Sequence, residues 1–239
     1  MTQSNSPSEL RDILYYYYER GARGFLISGG FSRDGYLPIA REHVEVLKNF
    51  RKERDVYLSI HLGLAPRELV DEVLEVFDLV DYEVPPSFQY VRYGRGLSKS
   101  TEDYLELLDY LTREYGEDRV APHIVLSSPL ASLSQELDVV EKIGAINRRL
   151  IVLLVHTGVE SLDENRVLSG FQLSRKLFRE VSYGCMRPRG SIEVVDKLAK
   201  YRYIDRVVNP SRKLIEKYGM RLINSCCSIS KQTLKLFEE

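Results

Sequence analysis

The residues able to do chemistry in this chain are few enough to weigh one at a time. It holds four histidines and three cysteines. His61, His123 and His156 each lie inside or at the end of a short β-rich apolar run, whereas His43 falls in a segment of helical period and reads as a surface residue. Imidazoles gathered at one mouth could hold a divalent metal or move protons, as in a hydrolase or lyase; taken singly, each reads more simply as a satisfied structural histidine. Cys226 and Cys227 are adjacent, and Cys185 stands well before them. Three cysteines, two of them adjacent, rule out a disulfide framework and a four-cysteine zinc module.

Arginines and glycines supply a second kind of chemistry. Arg187 and Arg189 follow one apolar run, and Asn209, Ser211 and Arg212 follow the next. Guanidinium groups brought together there could clamp a carboxylate or phosphate bidentately, or could pair with acids at the loop bases. In Ile27-Ser28-Gly29-Gly30 a glycine pair leaves backbone N–H groups open where a chain passes close to a ligand. Ser28, Gly29 and Gly30 therefore join the histidines and arginines as candidates for holding a small anionic ligand.

Bringing these residues to one place is a task for parallel strands. Eight β-rich runs, Gly24–Ser28, Val56–His61, Leu79–Glu83, Val120–Leu126, Leu150–His156, Val181–Cys185, Tyr203–Val208 and Arg221–Ser225, alternate with segments of helical period near 8–20, 41–53, 66–77, 101–115, 131–144, 171–179, 191–201, 210–218 and 229–238. Such alternation implies parallel strands joined by crossover helices. Within 239 residues it suits an α/β fold of the TIM-like (β/α) barrel kind. The connections are short and no linker interrupts them, so residues 1–239 read as one domain. In a barrel the C-terminal strand ends do the work, which is where most of the candidates fall.

Composition narrows the partners. Lys+Arg number 34 against 35 Asp+Glu, for a formal charge of −1 with the signs interspersed. Nucleic-acid binding needs a clustered positive excess, so it is not expected. No apolar run nears the roughly 20 residues that span a bilayer, and the polar start Met1–Ser8 lacks a signal core; no membrane contact and a cytoplasmic location are expected. The run Tyr15–Tyr18 invites a stacking reading, but four consecutive helical residues sweep about 400°. Two of these tyrosines are expected to face the core and two the solvent.

Segment by segment, the chain resembles a known family. Glu19-Arg20-Gly21-Ala22-Arg23-Gly24-Phe25-Leu26-Ile27-Ser28-Gly29-Gly30, followed by Asp34-Gly35-Tyr36-Leu37-Pro38, is similar to the strand and glycine loop of archaeal radical S-adenosylmethionine proteins described as biotin-synthase homologues, a group close to the two-component lipoyl synthases. The similarity runs on in the same order through His61-Leu62-Gly63-Leu64, Tyr93-Gly94, Thr101-Glu102-Asp103-Tyr104 and Pro122-His123-Ile124-Val125. It ends with Gly184-Cys185-Met186-Arg187-Pro188-Arg189-Gly190, Val208-Asn209-Pro210-Ser211-Arg212 and Cys226-Cys227. The resemblance implies a TIM-like barrel that binds S-adenosylmethionine and a [4Fe–4S] cluster held by a Cys-x₃-Cys-x₂-Cys loop.

Three departures bear on that implication. The chain has no such cysteine loop; aligned on Ser28-Gly29-Gly30 it would fall before Met1, so either the gene begins late or the radical machinery is lost. Phe31 stands where the methionyl-binding motif ends in an acid, and Ile124-Val125-Leu126-Ser127-Ser128 replaces the Gly-x-Ile-x-Gly that lies along adenine, so Leu126 and Ser127 need another geometry. Cys185, Cys226 and Cys227 match positions that are candidates for a second, sulfur-donating iron–sulfur cluster. However, neighbours on an extended strand point to opposite faces, and buried thiols or a vicinal disulfide are the other readings.

The expectation is therefore a degenerate, non-catalytic or auxiliary member that holds a small anionic ligand, or pairs with a catalytic radical S-adenosylmethionine paralogue or with itself. One alternative is an active sulfur-inserting radical enzyme whose loop comes from upstream or from a partner; the other is a histidine-based metal hydrolase or lyase. No cofactor is expected from the residues alone. The barrel is expected either to stay incomplete or to be closed by Arg221–Ser225 as a substituted strand, and an open edge invites a partner.

Overall fold

A serine followed by a proline starts the first helix, α1, over Pro7–Tyr18: Ser6 Oγ accepts the Glu9 N–H, and Pro7 occupies the first turn, where no amide donor is required. The computed structural model describes residues 2–4, 6–158, 162–188 and 191–237. It is described as two compact units, Met1–Asp81 and Tyr82–Glu239.

In the first unit, α2 (Arg41–Glu53) buries Val44, Leu47 and Phe50, three residues apart along one stripe. Phe50 is the hub. Tyr15 and Tyr18 lie edge-on to its ring at 5.1 and 6.0 Å, and Phe25 does so at 5.5 Å. Tyr16 and Tyr17 are exposed, with the Arg20 guanidinium 3.5 Å from the Tyr16 ring centre. The tyrosine run is thus split two and two, as helix geometry requires. His43 is half-buried on α2 rather than a plain surface residue.

Strands β1 (Gly24–Ile27), β2 (Tyr57–His61) and β3 (Leu79–Glu83) pair in parallel, with α3 (Arg67–Leu74) between the last two. The division between the units falls inside β3. Register puts Phe25 beside Leu58 and Leu26 beside Ser59. Since Phe25 stacks on α2, the face carrying Phe25 and Leu58 is the helix-covered one. The opposite face carries Leu26, Ser59 and Leu79 in one row, and His61 beside Asp81 in the next.

The second unit continues with α4 (Thr101–Tyr115), β4 (Val120–Leu126), α5 (Leu133–Ile146), β5 (Leu150–Val155), α6 (Glu164–Leu177), β6 (Glu180–Tyr183), α7 (Ile192–Lys200), β7 (Arg206–Val207) and α8 (Arg212–Tyr218). Reciprocal capping boxes, Ser100 with Asp103 and Ser132 with Gln135, open α4 and α5. Strands β4 to β7 are parallel and follow chain order. Tyr183 packs its ring on Phe171 of α6 at 5.0 Å, so the row Ile124–Leu153–Tyr183–Val207 faces the helices. The alternate row, His123–Val152–Ser182–Arg206, faces away from them.

Three elements depart from the sequence reading. Helix α6 begins at Glu164 instead of near 171, because Asp163 caps it by accepting the Arg166 N–H. No strand forms at Arg221–Ser225: only Leu222 and Ile223 are aliphatic there, and Leu222 is 67% exposed. The chain instead buries Cys227 to Ser230, whose carbonyls at Cys227 and Ile229 accept from the Arg206 guanidinium. The substituted strand is therefore not present, and seven strands are found among the described residues. Beyond it, the expected helix at 229–238 is a single 3₁₀ turn over Thr233–Phe237.

Candidate functional site

Continuing the β1–β2 register by one step beyond Ile27 and Ile60 sets Ser28 beside His61, and the β2–β3 register sets His61 beside Asp81. Period-two alternation puts all three side chains on the helix-free face of the first unit. Ser28 Oγ lies 3.4 Å from His61 Nδ1, and His61 Nε2 lies 3.9 Å from Asp81 Oδ2. The Asp81 side chain is fully buried, and that of His61 is 40% exposed. A serine, an imidazole and a carboxylate thus stand in line across three successive parallel strands, at the C-terminal ends of β1 and β2 and at the middle of β3. Such a row can move a proton, orient a polar ligand or supply an imidazole nitrogen and a carboxylate oxygen to a metal.

The loop after β1 holds this row in place. Ser32 N–H donates to Tyr36 O, Leu37 N–H to Leu62 O and Leu64 N–H to Gly35 O, tying the segment that follows Gly29-Gly30 onto the turn after β2. Gly63 is required at that clasp: its φ is +73°, and a Cβ would come 2.5 Å from the Gly35 carbonyl oxygen. Gly29 packs against Leu37, whereas nothing lies within 4 Å of where a Cβ on Gly30 would stand. Ser28, Gly29 and Gly30 are exposed.

Asp81 was not legible as a site residue from its type alone. In Leu79-Val80-Asp81-Tyr82-Glu83 the acid alternates with apolar residues, and only its register with His61 marks it.

In the second unit, His123 is buried on β4 and its Nδ1 donates to the Ala121 carbonyl at 2.8 Å, which makes Nε2 the nitrogen that carries the lone pair. His156, half-buried just past β5, sits four residues nearer the strand ends than Val152, the register partner of His123, or about 13 Å along the strand direction. His156 joins no set of three or more metal-competent donors among the described residues. Leu126 and Ser127 do find another geometry: Ser127 adopts a left-handed φ of 57°, and Leu126 turns to the helix side, against Gly170.

Among the described residues, Arg187 and Arg212 have separate partners. Arg187 donates to the Asn209 carbonyl at 2.8 Å, drawing the loops after β6 and β7 together, and its Nη1 is buried with no hydrogen-bond partner among the described residues. Arg212 is 91% exposed and pairs with Glu216 one turn along α8. Ser211 caps that helix, its Oγ accepting the Leu214 N–H. Arg189 lies outside the described residues. Asn209 lines a groove of about 820 Å³ together with Val207, Tyr218, Leu222, Cys226 and Cys227.

One further cluster escaped the sequence reading. Arg95 forms an ion pair with Glu83 at the end of β3, and its guanidinium also interacts with Tyr90 and Tyr104. Burial alone would lower Arg95, but the Glu83 carboxylate and the two phenols raise it instead. Burial pushes both phenols up. Tyr90 opens a π-helical turn, Tyr90–Gly94, that no propensity signalled.

No protein-family model matches this chain, and no curated protein does. Solved structures do. Methylornithine synthase (PylB), a radical S-adenosylmethionine enzyme, is similar with a TM-score of 0.57 at 13% identity, over 84% of this chain and 61% of that protein. A variant of NCR from Zymomonas mobilis is similar with a TM-score of 0.52 at 13% identity, over 88% of this chain and 82% of that one. The fold is that of a TIM-like α/β barrel. At such identities the similarity carries the fold alone, and the family suggested by the sequence motifs is not established by it.

The cysteines do not fit the cluster that the resemblance implies. Cys185 is exposed after β6; Cys226 is half-buried, with its Sγ accepting from Ser228 Oγ at 3.1 Å; Cys227 is buried beside it. Among the described residues the three do not form a set of donors close enough to hold one metal ion. All three are thiols rather than disulfides.

Proposed function

We propose that this chain is a radical-S-adenosylmethionine-like barrel that serves as a ligand-holding, auxiliary component, taking a small anionic ligand at the C-terminal ends of β1 and β2. The observation that carries this reading is the juxtaposition of exposed Ser28, Gly29 and Gly30 with the half-exposed imidazole of His61. Backbone N–H groups beside glycine, a hydroxyl and an imidazole are donors suited to a carboxylate or phosphate. The scattered thiols support a role without cluster chemistry of its own, beside a catalytic paralogue.

Calorimetric titration of the purified chain with inorganic phosphate and small dicarboxylates tests the reading. Saturable binding that weakens at least tenfold in Ser28→Ala and His61→Ala is expected. After anaerobic reconstitution with iron and sulfide, no acid-labile sulfide is expected to stay with the chain. A stable four-iron cluster lost on Cys185→Ala would replace this reading with that of a radical enzyme.

A further inference from the structure

We propose that His61 Nε2 and Asp81 Oδ2 bind one divalent transition-metal ion of the zinc class, whose remaining coordination positions anchor the anionic ligand. The inference rests on the proposed ligand site for its second half only. The metal half stands on the geometry of three side chains.

The separation is the first argument. At 3.9 Å, Nε2 and Oδ2 are too far apart for a hydrogen bond, which for N–H···O spans about 2.7–3.2 Å. A zinc-class ion at about 2.0–2.2 Å from each ligand holds a nitrogen and an oxygen up to roughly 4 Å apart, and nearer 3.4 Å in tetrahedral geometry. A shift of the half-exposed His61 ring by about half an ångström covers the difference.

The second argument is the orientation of the ring. A ligating imidazole fixes its tautomer by giving its other N–H to an oxygen. Ser28 Oγ is that oxygen, 3.4 Å from Nδ1, and it stands on the adjacent strand end where the register requires it.

Charge supplies the third argument. A carboxylate placed under an anion site would repel the ligand, and a dication held on it reverses the sign of that interaction. A dication bound by one carboxylate and one neutral imidazole leaves a net charge of +1 facing the mouth. The row beneath, Leu26, Ser59 and Leu79, has no charged group, so this ion would be the dominant local charge.

The test uses the full chain, stripped with chelator and titrated with cobalt(II) alone in phosphate-free buffer, followed by its visible absorption. One equivalent is expected to bind, to be displaced by zinc, and to raise the melting temperature. His61→Ala and Asp81→Asn should each weaken binding at least tenfold, and Ser28→Ala by roughly tenfold, as expected for a residue that orients a ligand. Because Asp81 is buried, circular dichroism must show Asp81→Asn folded; if it is not, the solvent-facing His61→Ala decides. A folded wild-type chain that binds no cobalt at millimolar concentration overturns the proposal, as does unchanged cobalt affinity in His61→Ala. Phosphate added to the cobalt-loaded chain tests the anion reading separately. A shift of the cobalt spectrum supports both; cobalt binding without any response to phosphate keeps the metal and removes the anion.

Discussion

Glu180 and Arg206, the first residues of β6 and β7, form an ion pair on the helix-free face of the second unit. Arg206 also donates to the carbonyls of Cys227 and Ile229, so the pair staples the C-terminal segment to the sheet. Replacing Arg206 with alanine strands a carboxylate that is only 11% exposed and frees those carbonyls. A loss of about 3–5 kcal/mol is expected, in the range of broken buried pairs. Thiol labelling reports the same event: Cys185 should react quickly in both proteins, and Cys227 quickly only in Arg206→Ala. Unchanged Cys227 labelling would refute the staple.

The link between α5 and α6 rests on Glu136 and Arg166. The Glu136 side chain is fully buried; it accepts from Arg166 at 2.6 Å and from the Ser128 N–H at 3.1 Å. Arg166 also donates to the carbonyls of Ser128 and Ala131. Urea denaturation should show Arg166→Ala less stable by about 3–5 kcal/mol. Arg166→Lys should fall in between, since an ammonium keeps the charge but not the planar fork. Equal stability of Lys and wild type would mean that charge alone holds the link.

Two glycines of the site should respond oppositely to the same change. Gly63→Ala forces a side chain into left-handed backbone and against the Gly35 carbonyl, a strain of about 1–3 kcal/mol. Gly30→Ala meets nothing within 4 Å and should stay within about 0.5 kcal/mol of wild type. Thermal melts of the two variants check the pair, and a Gly63→Ala protein as stable as Gly30→Ala would show that the clasp between the two loops is dispensable.

These residues also show where the sequence was readable. Apolar runs and helical periods located seven strands and eight helices, because each is set by local pattern and by caps such as Ser100 and Ser132. The eighth strand failed because two aliphatic residues at 222–223 do not outweigh the anchoring of Cys227 and Ile229 by Arg206, a contact 21 residues distant. Ser28 and His61 were legible as strand-end residues beside glycine. Asp81 was not, since a lone acid in a strand gains meaning only from the register of its neighbour. The arginines left two readings open, a clamp or pairing with acids, and of the described ones Arg212 pairs with Glu216 within its own helix and Arg187 donates to a loop carbonyl.

Asp205 gives the fold a dependence on pH. Burial would push its carboxyl up, but the Val181 N–H at 2.8 Å and Arg175 at 2.6 Å, with Lys231 nearby, hold it below the ordinary value near 3.9. A group whose folded value is depressed stabilises the fold above its unfolded value, and that stabilisation is lost as pH falls through the folded one. Asp205→Asn should therefore be less stable than wild type at pH 7, by about 1–3 kcal/mol for the weakened hydrogen bonds to a charged group. The difference should persist to about pH 5 and shrink below about pH 4. Urea midpoints at pH 7, 5 and 3.5 decide it. A difference that stays constant, or widens, on acidification would show that Asp205 acts through its shape rather than its charge.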